Sequence, residues 1–217
     1  MMKLLNKEFR LCLHPTVFIM LGLSAMVLIP NYPYAVSYFY MTLAIYFVCL
    51  TGRENHDPTY TLTLPVSRRE IVRGRMLFSC CLEGMQLVLS AVFVWVKSFI
   101  SAGPNAAGME ANLALPGEGL IVFGLFNLIF FPAWYKDIQK IGGAFIKASI
   151  AVFLYITAGV VATYAVPFVR DCLDQPDPQF VTEKLLFLAA ALAFFLAATA
   201  LAVRLSVKRF QRQDLAL

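Results

Sequence analysis

The sequence predicts an all-α integral membrane protein, because it is apolar along most of its length and carries few charges. Hydrophobic residues make up 60% of the chain and charged residues only 14%, and the mean hydropathy is +0.72. A soluble domain carries about 25% charged residues, so most of this chain is too apolar to be solvated. Its length fits one membrane domain, residues 1–217, without a separate soluble module.

Six apolar runs are long enough, or nearly so, to cross a bilayer, which requires about 20 apolar residues. The first run is the shortest. A tight turn at Asn31 and Tyr32 separates it from the second, since Pro30 and Pro33 both oppose continuation of a helix. The predicted spans are residues 16–30, 33–51, 77–100, 115–134, 143–169 and 185–205.

An amphipathic segment, KLLNKEFRLCLHP, precedes the first span. Its apolar residues, among them Leu4, Leu5 and Phe9, recur at helical spacing, and its basic residues lie elsewhere around the helix. This pattern predicts an interfacial helix over residues 1–14, bound among the membrane lipid headgroups. An ordinary basic flank in front of the span is the alternative.

The positions of the basic residues predict the orientation. Of the 18 lysines and arginines, all but Lys97, Arg170 and Lys184 fall in loops or termini on one side of the six predicted spans. Loops rich in lysine and arginine stay in the cytoplasm. We therefore expect a multi-pass protein of the cell membrane with both termini in the cytoplasm.

The loop between the second and third predicted spans, residues 52–76, contains a strongly specified helix start. Ser67 and Glu70 have the spacing of a capping box, in which each side chain binds the backbone N–H of the other residue. Val66 and Ile71 stand where a hydrophobic staple would pack, and Pro65 stiffens the approach. The sequence therefore predicts that this loop is folded rather than extended.

Two arginines, Arg68 and Arg69, occupy the first turn of this predicted helix. The helix dipole disfavours a positive charge there by a few tenths of a kcal/mol, so a group outside the helix is expected to bind them. Anionic lipid headgroups and a protein partner both fit. The alternative is that these arginines only establish the orientation of the chain in the membrane.

A polar stripe runs along the third predicted span. On a helix of 100° per residue, Ser79, Glu83, Gln86, Ser90 and Lys97 lie within about 60° of one another. A charged group inside a membrane costs about 2.5–3.5 kcal/mol on insertion scales, so the stripe should face protein or water. Glu83, Gln86, Ser90 and Lys97 are therefore candidates for a translocation path. A structural hydrogen-bonding role for Glu83, with Asn127 as a possible partner, is the alternative.

Several classes of protein do not fit the sequence. The five cysteines are odd in number and contain no CxxC pair, which argues against a disulfide framework or a metal site. Neither histidine, His14 or His56, lies inside a predicted span, and the HExxH pattern of a metalloprotease is missing. The chain also lacks the GxxxxGK[ST] loop that binds nucleotide phosphates. We expect no enzyme activity, no metal and no nucleic-acid partner.

Four segments together resemble a known family: KEFRLCLHP, the turn NYPY, the cluster GREN at 52–55, and LPVSRREIVRGR at 64–75. They are similar to segments of the membrane subunits of type-2 ATP-binding cassette (ABC) exporters, in particular the small six-span permeases. The resemblance implies that the 52–76 loop contacts a cytoplasmic ATPase subunit that holds ATP and Mg²⁺, with no cofactor in this chain. The residues that would form or brace this contact are Arg53, Glu54, Asn55, Leu64, Pro65, Val66, Ser67, Arg68, Arg69, Glu70, Ile71, Arg73 and Arg75.

The expected function is therefore a permease subunit of an ATP-driven exporter, with a peptide, an antimicrobial compound or a lipid-like molecule as substrate. Six spans are few to surround a large substrate, so a second permease copy is expected, in a homodimer or a heterodimer. Ala189, Ala193 and Ala197 at four-residue spacing would allow a helix to approach closely, either within one subunit or between two. The alternative function is an ATP-independent secondary transporter or another small polytopic membrane protein.

Overall fold

The computed structural model describes residues 2–100 and 105–212, and the described residues are helical with no strand. Residues 1, 101–104 and 213–217 of the predicted domain lie outside the described part. Two of the eight α-helices continue into a different helical form: α1 into a π-helical turn, Glu8–Cys12, and α2 into a 3-10 helix, Leu23–Leu28. The α-helices are α1 Met2–Lys7, α2 Thr16–Gly22, α3 Val36–Glu54, α4 Asp57–Leu62, α5 Arg68–Lys97, α6 Leu115–Trp134, α7 Ile141–Ala165 and α8 Val181–Gln211.

Among the described residues, four helices are long and apolar enough to cross a membrane: α5, α6, α7 with the 3-10 turn before it, and α8. They correspond to the last four predicted spans. The fourth prediction, residues 115–134, coincides with α6, whereas α5 begins nine residues before the predicted residue 77 because the capped helix start and the span form one helix.

The first two predicted spans remain predictions. Helix α3 has 19 residues but is not apolar enough, since it contains several tyrosines and ends in Gly52, Arg53 and Glu54. The segments Leu4–Cys12 and Thr16–Leu28 meet at 89° and add a fifth span only if the bent pair is counted as one. A right angle is what an interfacial helix would make with a span, but the interfacial position of residues 1–14 also remains a prediction.

The N-terminal helix packs against the beginning of α5. The rings of Phe9 and Phe78 meet edge to face with centroids 4.9 Å apart, and a Cβ atom added at Gly74 would lie 3.4 Å from Leu4 Cβ. Leu11, two residues after Phe9, is 74% exposed. One side of this amphipathic segment thus packs against protein, and another side is exposed at the surface of the chain.

Helix α6 is the centre of the fold. Within the most apolar segment of α6, 72% of the residues are buried, against 22–33% in the other three apolar helices. Helix α6 packs most extensively against α8. Gly124 permits this contact, because a Cβ atom there would stand 3.3 Å from the Cα atom of Phe195 and 2.9 Å from the ring of Phe194. A helix so enclosed needs no polar outer face, which explains its uniformly apolar sequence.

Helix α8 uses a different alanine set from the predicted one to pack inside the chain. Ala191, Ala198 and Ala202 are buried, whereas the predicted set, Ala189, Ala193 and Ala197, is exposed. The alternative that the predicted set packs within one subunit is therefore wrong. These three residues remain available to lipid or to another chain.

The end of the molecule opposite the 52–76 loop is closed by the loops before α6 and α8. The Asn112 amide donates to the carbonyl oxygens of Leu173 (2.6 Å) and Gln175 (2.9 Å). Lys184 is fully buried and its Nζ atom donates to Asp177 Oδ1 at 2.8 Å. This pairing explains how a lysine is accommodated on the side of the molecule that carries few basic residues.

Candidate functional site

The predicted capping box is present at the start of α5. The Ser67 hydroxyl accepts the Glu70 N–H at 3.3 Å, while Glu70 Oε2 accepts the Ser67 N–H at 2.8 Å and the Ser67 hydroxyl at 2.7 Å. Val66 is half-buried and Ile71 is buried, and both pack against the hydrophobic core. The direction in which the chain enters α5 is thereby fixed, as the sequence indicated.

Arg68 binds the C-terminal end of α8. Its Nη1 atom donates to the carbonyl oxygens of Phe210 (2.8 Å) and Gln211 (3.3 Å), and its guanidinium lies 5.5 Å from the centroid of the Phe210 ring. The last carbonyls of a helix lack intrahelical partners and carry partial negative charge, so a cation there is favoured. This contact explains why Arg68 occupies the first turn of α5, where the dipole of α5 disfavours a positive charge.

A second arginine makes the same kind of contact one helix further on. Arg209, in the last turns of α8, donates from Nη1 to the carbonyl oxygen of Pro132 at 2.7 Å, near the end of α6. Helices α5, α8 and α6 are thus joined at this end by two contacts between an arginine and a helix C-terminus. The start of α5 is thus linked to α6 and α8, the two helices that pack most extensively against each other.

A buried ion cluster joins α1, α4 and α5. Arg75 Nη2 lies 2.7 Å from Asp57 Oδ2 and 3.1 Å from Glu8 Oε2. Lys7 Nζ lies 2.5 Å from Asp57 Oδ1 and donates to the Thr61 hydroxyl at 2.8 Å. The side chains of Arg75 and Glu8 are only 4% and 5% exposed. Two cations and two anions make the cluster neutral, as burial requires.

Sequence reasoning missed this cluster. The resemblance places Arg75 among the residues that form or brace the ATPase contact, but it does not single out Glu8 or Asp57 as partners of Arg75. The signal was the position of Arg75 on the apolar face of α5, at helical spacing from the buried residues Ile71, Phe78 and Leu82. A basic residue on a buried face requires an acidic partner, but the sequence does not identify a partner on a distant helix.

The carboxyl groups of this cluster also lie close to a thiol. One ligand atom each from Glu8, Cys12 and Asp57 falls within 4.8 Å of the others. Arg75 Nη2 occupies the position between them, since it lies 3.6 Å from Cys12 Sγ in addition to its two carboxylate contacts. Burial raises the pKa of the Cys12 thiol to about 12, so the thiol is neutral. The arrangement is that of a protein ion cluster.

Residues 52–76, which include α4 and the first turns of α5, are here called the α4–α5 corner. The residues that the resemblance assigns to the ATPase contact divide there into two groups. Arg53 is half-buried and donates from Nη1 to the carbonyl oxygen of Gln139 at 3.1 Å, so with Val66, Arg68, Ile71 and Arg75 it belongs to the interior of the corner. The exposed group is Glu54, Asn55, Leu64, Pro65, Ser67, Arg69, Glu70 and Arg73. Tyr60, which sequence reasoning did not select, is 61% exposed beside them.

The polar stripe of α5 faces protein, as predicted. Ser79, Glu83, Gln86, Ser90 and Lys97 are all buried. Their partners lie on or next to α3 and on α6: Asn127 Nδ2 donates to Glu83 Oε2 (3.1 Å), Gln86 Nε2 donates to the Ser37 carbonyl (3.2 Å), the Ser90 and Tyr38 hydroxyls lie 2.7 Å apart, and Lys97 donates to the Tyr34 hydroxyl. Asn127, which the alternative structural role of Glu83 offered as a partner, is thus in contact with it. In this conformation the polar groups of the stripe hydrogen-bond with other groups of the same chain.

These features define an all-helical, multi-pass membrane protein whose polar groups are concentrated in a folded corner and in a buried stripe. Residues 3–211 match the ABC-2 family transporter proteins, and the chain belongs to that family. It is accordingly a membrane transport component and not itself a catalyst. Neither a curated protein nor a solved structure matches the chain.

Proposed function

We propose that this chain is the permease subunit of an ATP-driven exporter in the cell membrane, and that its α4–α5 corner binds a separate ABC ATPase in the cytoplasm. The observation that carries the proposal is the continuity of α5. This helix begins at the capping box and runs without a break through Lys97, about 45 Å at 1.5 Å per residue. A partner that displaces the corner therefore displaces the polar stripe.

The exposed group of the corner has the composition of a protein-binding surface. Arg69 and Arg73 are four residues apart, hence on one face of α5, and both are exposed. Tyr60 and Leu64, 61% and 38% exposed, supply apolar anchors. Buried aromatic and aliphatic anchors carry most of the free energy of an interface, whereas charges at its rim mainly increase association rate and specificity. The complementary ATPase surface is an apolar groove with an acidic rim.

The interior group braces this surface. Arg75 holds α4 and α1 against α5, Arg68 holds the end of α8, and Arg53 holds the turn before α7. Each of these arginines is bound within the chain, so it positions the exposed residues rather than contacting the ATPase through a free guanidinium. ATP and Mg²⁺ are bound by the partner, because this chain lacks a phosphate-binding loop.

The translocation path would form when α5 separates from α3 and α6. Glu83, Gln86, Ser90 and Lys97 would then exchange their present partners for water or substrate. A second copy of the permease is expected to complete the path, and the exposed alanines Ala189, Ala193 and Ala197 allow another helix to approach α8 closely. Both termini are placed in the cytoplasm by the positive-inside rule.

The test is co-purification of the tagged permease with the ATPase encoded nearest to it, followed by ATPase assays in proteoliposomes. Tyr60→Ala with Leu64→Ala should abolish co-purification while the permease still accumulates in the membrane. The matched control is Val88→Ala with Val92→Ala, a pair at the same spacing that is exposed on the outer face of α5. An ATPase that binds both double variants equally well would contradict the proposal, and transport driven by an ion gradient without ATP would favour the secondary transporter.

A further inference from the structure

The carboxyl group of Glu83 lies near the middle of α5 and is completely buried. Asn127 Nδ2 donates to its Oε2 atom at 3.1 Å. Both groups also carry a buried oxygen without a hydrogen-bond partner, Glu83 Oε1 and Asn127 Oδ1. They are among several such buried polar atoms in the described residues, and the Gln86 amide oxygen is another on the same face of α5. Leaving a buried acceptor unpaired costs about 1–3 kcal/mol, and here two unpaired acceptors belong to groups already in contact.

No ion pair with Glu83 occurs in the described part of the chain. The nearest cations of its own helix on either side, Arg75 and Lys97, are 8 and 14 residues away, roughly 12 and 21 Å along the axis. The Cys80 thiol, three residues earlier on α5, is the other titratable group close to the carboxyl and hydrogen-bonds with it. The described segments packed against α5 carry their charges near their ends, and Thr16–Leu28 carries none. These charges are Lys7 at the end of α1, Glu8 and Arg10 after it, Arg53 and Glu54 on α3, Asp57 on α4, Glu118 on α6, and Glu183, Lys184, Arg204, Lys208 and Arg209 on α8.

An isolated carboxylate in such a place is strongly disfavoured, because neither water nor a cation compensates the loss of hydration. A neutral carboxylic acid is different. It can form two hydrogen bonds with a primary amide at once: it accepts one N–H with its carbonyl oxygen and donates its O–H to the amide oxygen. The first of these bonds is present, and the second would satisfy both orphaned oxygens.

We propose that Glu83 is a proton-binding site in the membrane interior. Its carboxylate takes up one proton at Oε1, no covalent bond is broken, and the resulting O–H donates to Asn127 Oδ1 while Oε2 keeps the bond from Asn127 Nδ2. The Asn127 amide also lies 3.3 Å from the Thr199 hydroxyl. The bound proton therefore stabilises a neutral contact between α5 and α6 that extends to α8.

The neutral state matters for a helix that moves. When α5 separates from α6, a protonated Glu83 exposes a neutral hydrogen-bonding group, whereas a carboxylate would carry an uncompensated charge through the apolar interior. The inference rests on the contact between Glu83 and Asn127 and holds whether or not an ATPase drives the movement.

Infrared difference spectroscopy tests it on the full-length protein in lipid at neutral pH. The parent minus Glu83→Gln spectrum should show the carbonyl stretch of a protonated carboxylic acid, shifted in D₂O. Asn127→Leu should shift this band, because the acid loses both hydrogen bonds to the amide, and Glu118→Gln, which neutralises another buried acid, should leave it in place. Glu83→Gln should also accumulate to within about twofold of the parent, since glutamine preserves a neutral donor and acceptor.

Carboxylate stretches in place of the protonated band would overturn the proposal. If Glu83→Gln does not accumulate, the parent minus Asn127→Leu spectrum decides alone: a shifted acid band supports the pair, and an unshifted one contradicts it.

Discussion

Replacing Arg75 with glutamine removes a cation from a closed cluster of four charges and leaves two carboxylates with one lysine. Removing one partner of a buried ion pair costs about 3–5 kcal/mol, because the other charge stays buried without compensation. Asp57 keeps Lys7 at 2.5 Å and its side chain is 16% exposed. Glu8 keeps the same lysine only at 3.7 Å and its side chain is 5% exposed, so most of the loss falls on Glu8. We therefore expect the free energy of unfolding to fall by about 3 kcal/mol, at the lower end of this range.

The assay is thermal unfolding of the purified protein in detergent. For a chain of this size, 1 kcal/mol corresponds to about 2–4 °C, so Arg75→Gln should lower Tm by roughly 6–12 °C. Arg73→Gln is the matched control, since it removes the same charge two residues earlier from an exposed position, where substitutions change stability by at most about 0.5 kcal/mol. Adding Glu8→Gln to Arg75→Gln should recover part of the loss. Equal melting of the Arg73 and Arg75 variants would refute the buried cluster.

Three further predictions follow from the corner, the core and the topology. Ser67→Ala with Glu70→Ala should cost about 1 kcal/mol of helix stability and uncouple ATP hydrolysis from export while ATPase binding is partly kept; fully coupled export would show that the cap is dispensable. Gly124→Ala should destabilise the contact between α6 and α8 by about 1–3 kcal/mol through overpacking, whereas Gly84→Ala, with no atom within 4 Å of the added Cβ, should not, as compared by thermal melting. The topology can be tested in a background in which Cys172 is replaced by serine. Cysteines at the exposed positions Ala106 and Gln179 should react with an impermeant thiol reagent on intact cells, and a cysteine at Thr63 should not. Labelling at Thr63 would contradict the predicted orientation.

Local sequence patterns predicted the features whose causes are local. The capping box depends on two residues three positions apart, and its geometry follows from the spacing of Ser67 and Glu70 alone. The burial of the α5 stripe follows from helical periodicity and from the cost of placing Glu83 in lipid. The boundaries of α6 follow from the uniform apolarity of its sequence.

The features that sequence reasoning missed depend on which helices meet. Arg75 belongs to an ion cluster because α1 and α4 bring Glu8 and Asp57 to it, and Arg68 binds α8 because that helix ends 142 residues later in the chain beside it. Neither contact has a periodic signature. The count of six spans also exceeds what the described helices establish, because α3 contains three tyrosines that lower its apolarity and α2 continues as a 3-10 helix of only six residues.

Retention of the ATPase by the tagged permease across a series of salt concentrations tests the central claim most directly. Arg69→Glu with Arg73→Glu reverses both exposed arginines of the corner, and Arg204→Glu with Lys208→Glu makes the same change at the same spacing on exposed positions of α8. If the corner binds the ATPase, the first double variant retains less ATPase than the parent at low salt, because interfacial charge attraction has become repulsion, and the difference narrows as added salt screens the charges. The α8 variant retains the ATPase as the parent does. Equal retention by all three proteins would contradict the assignment of the α4–α5 corner as the ATPase-binding surface.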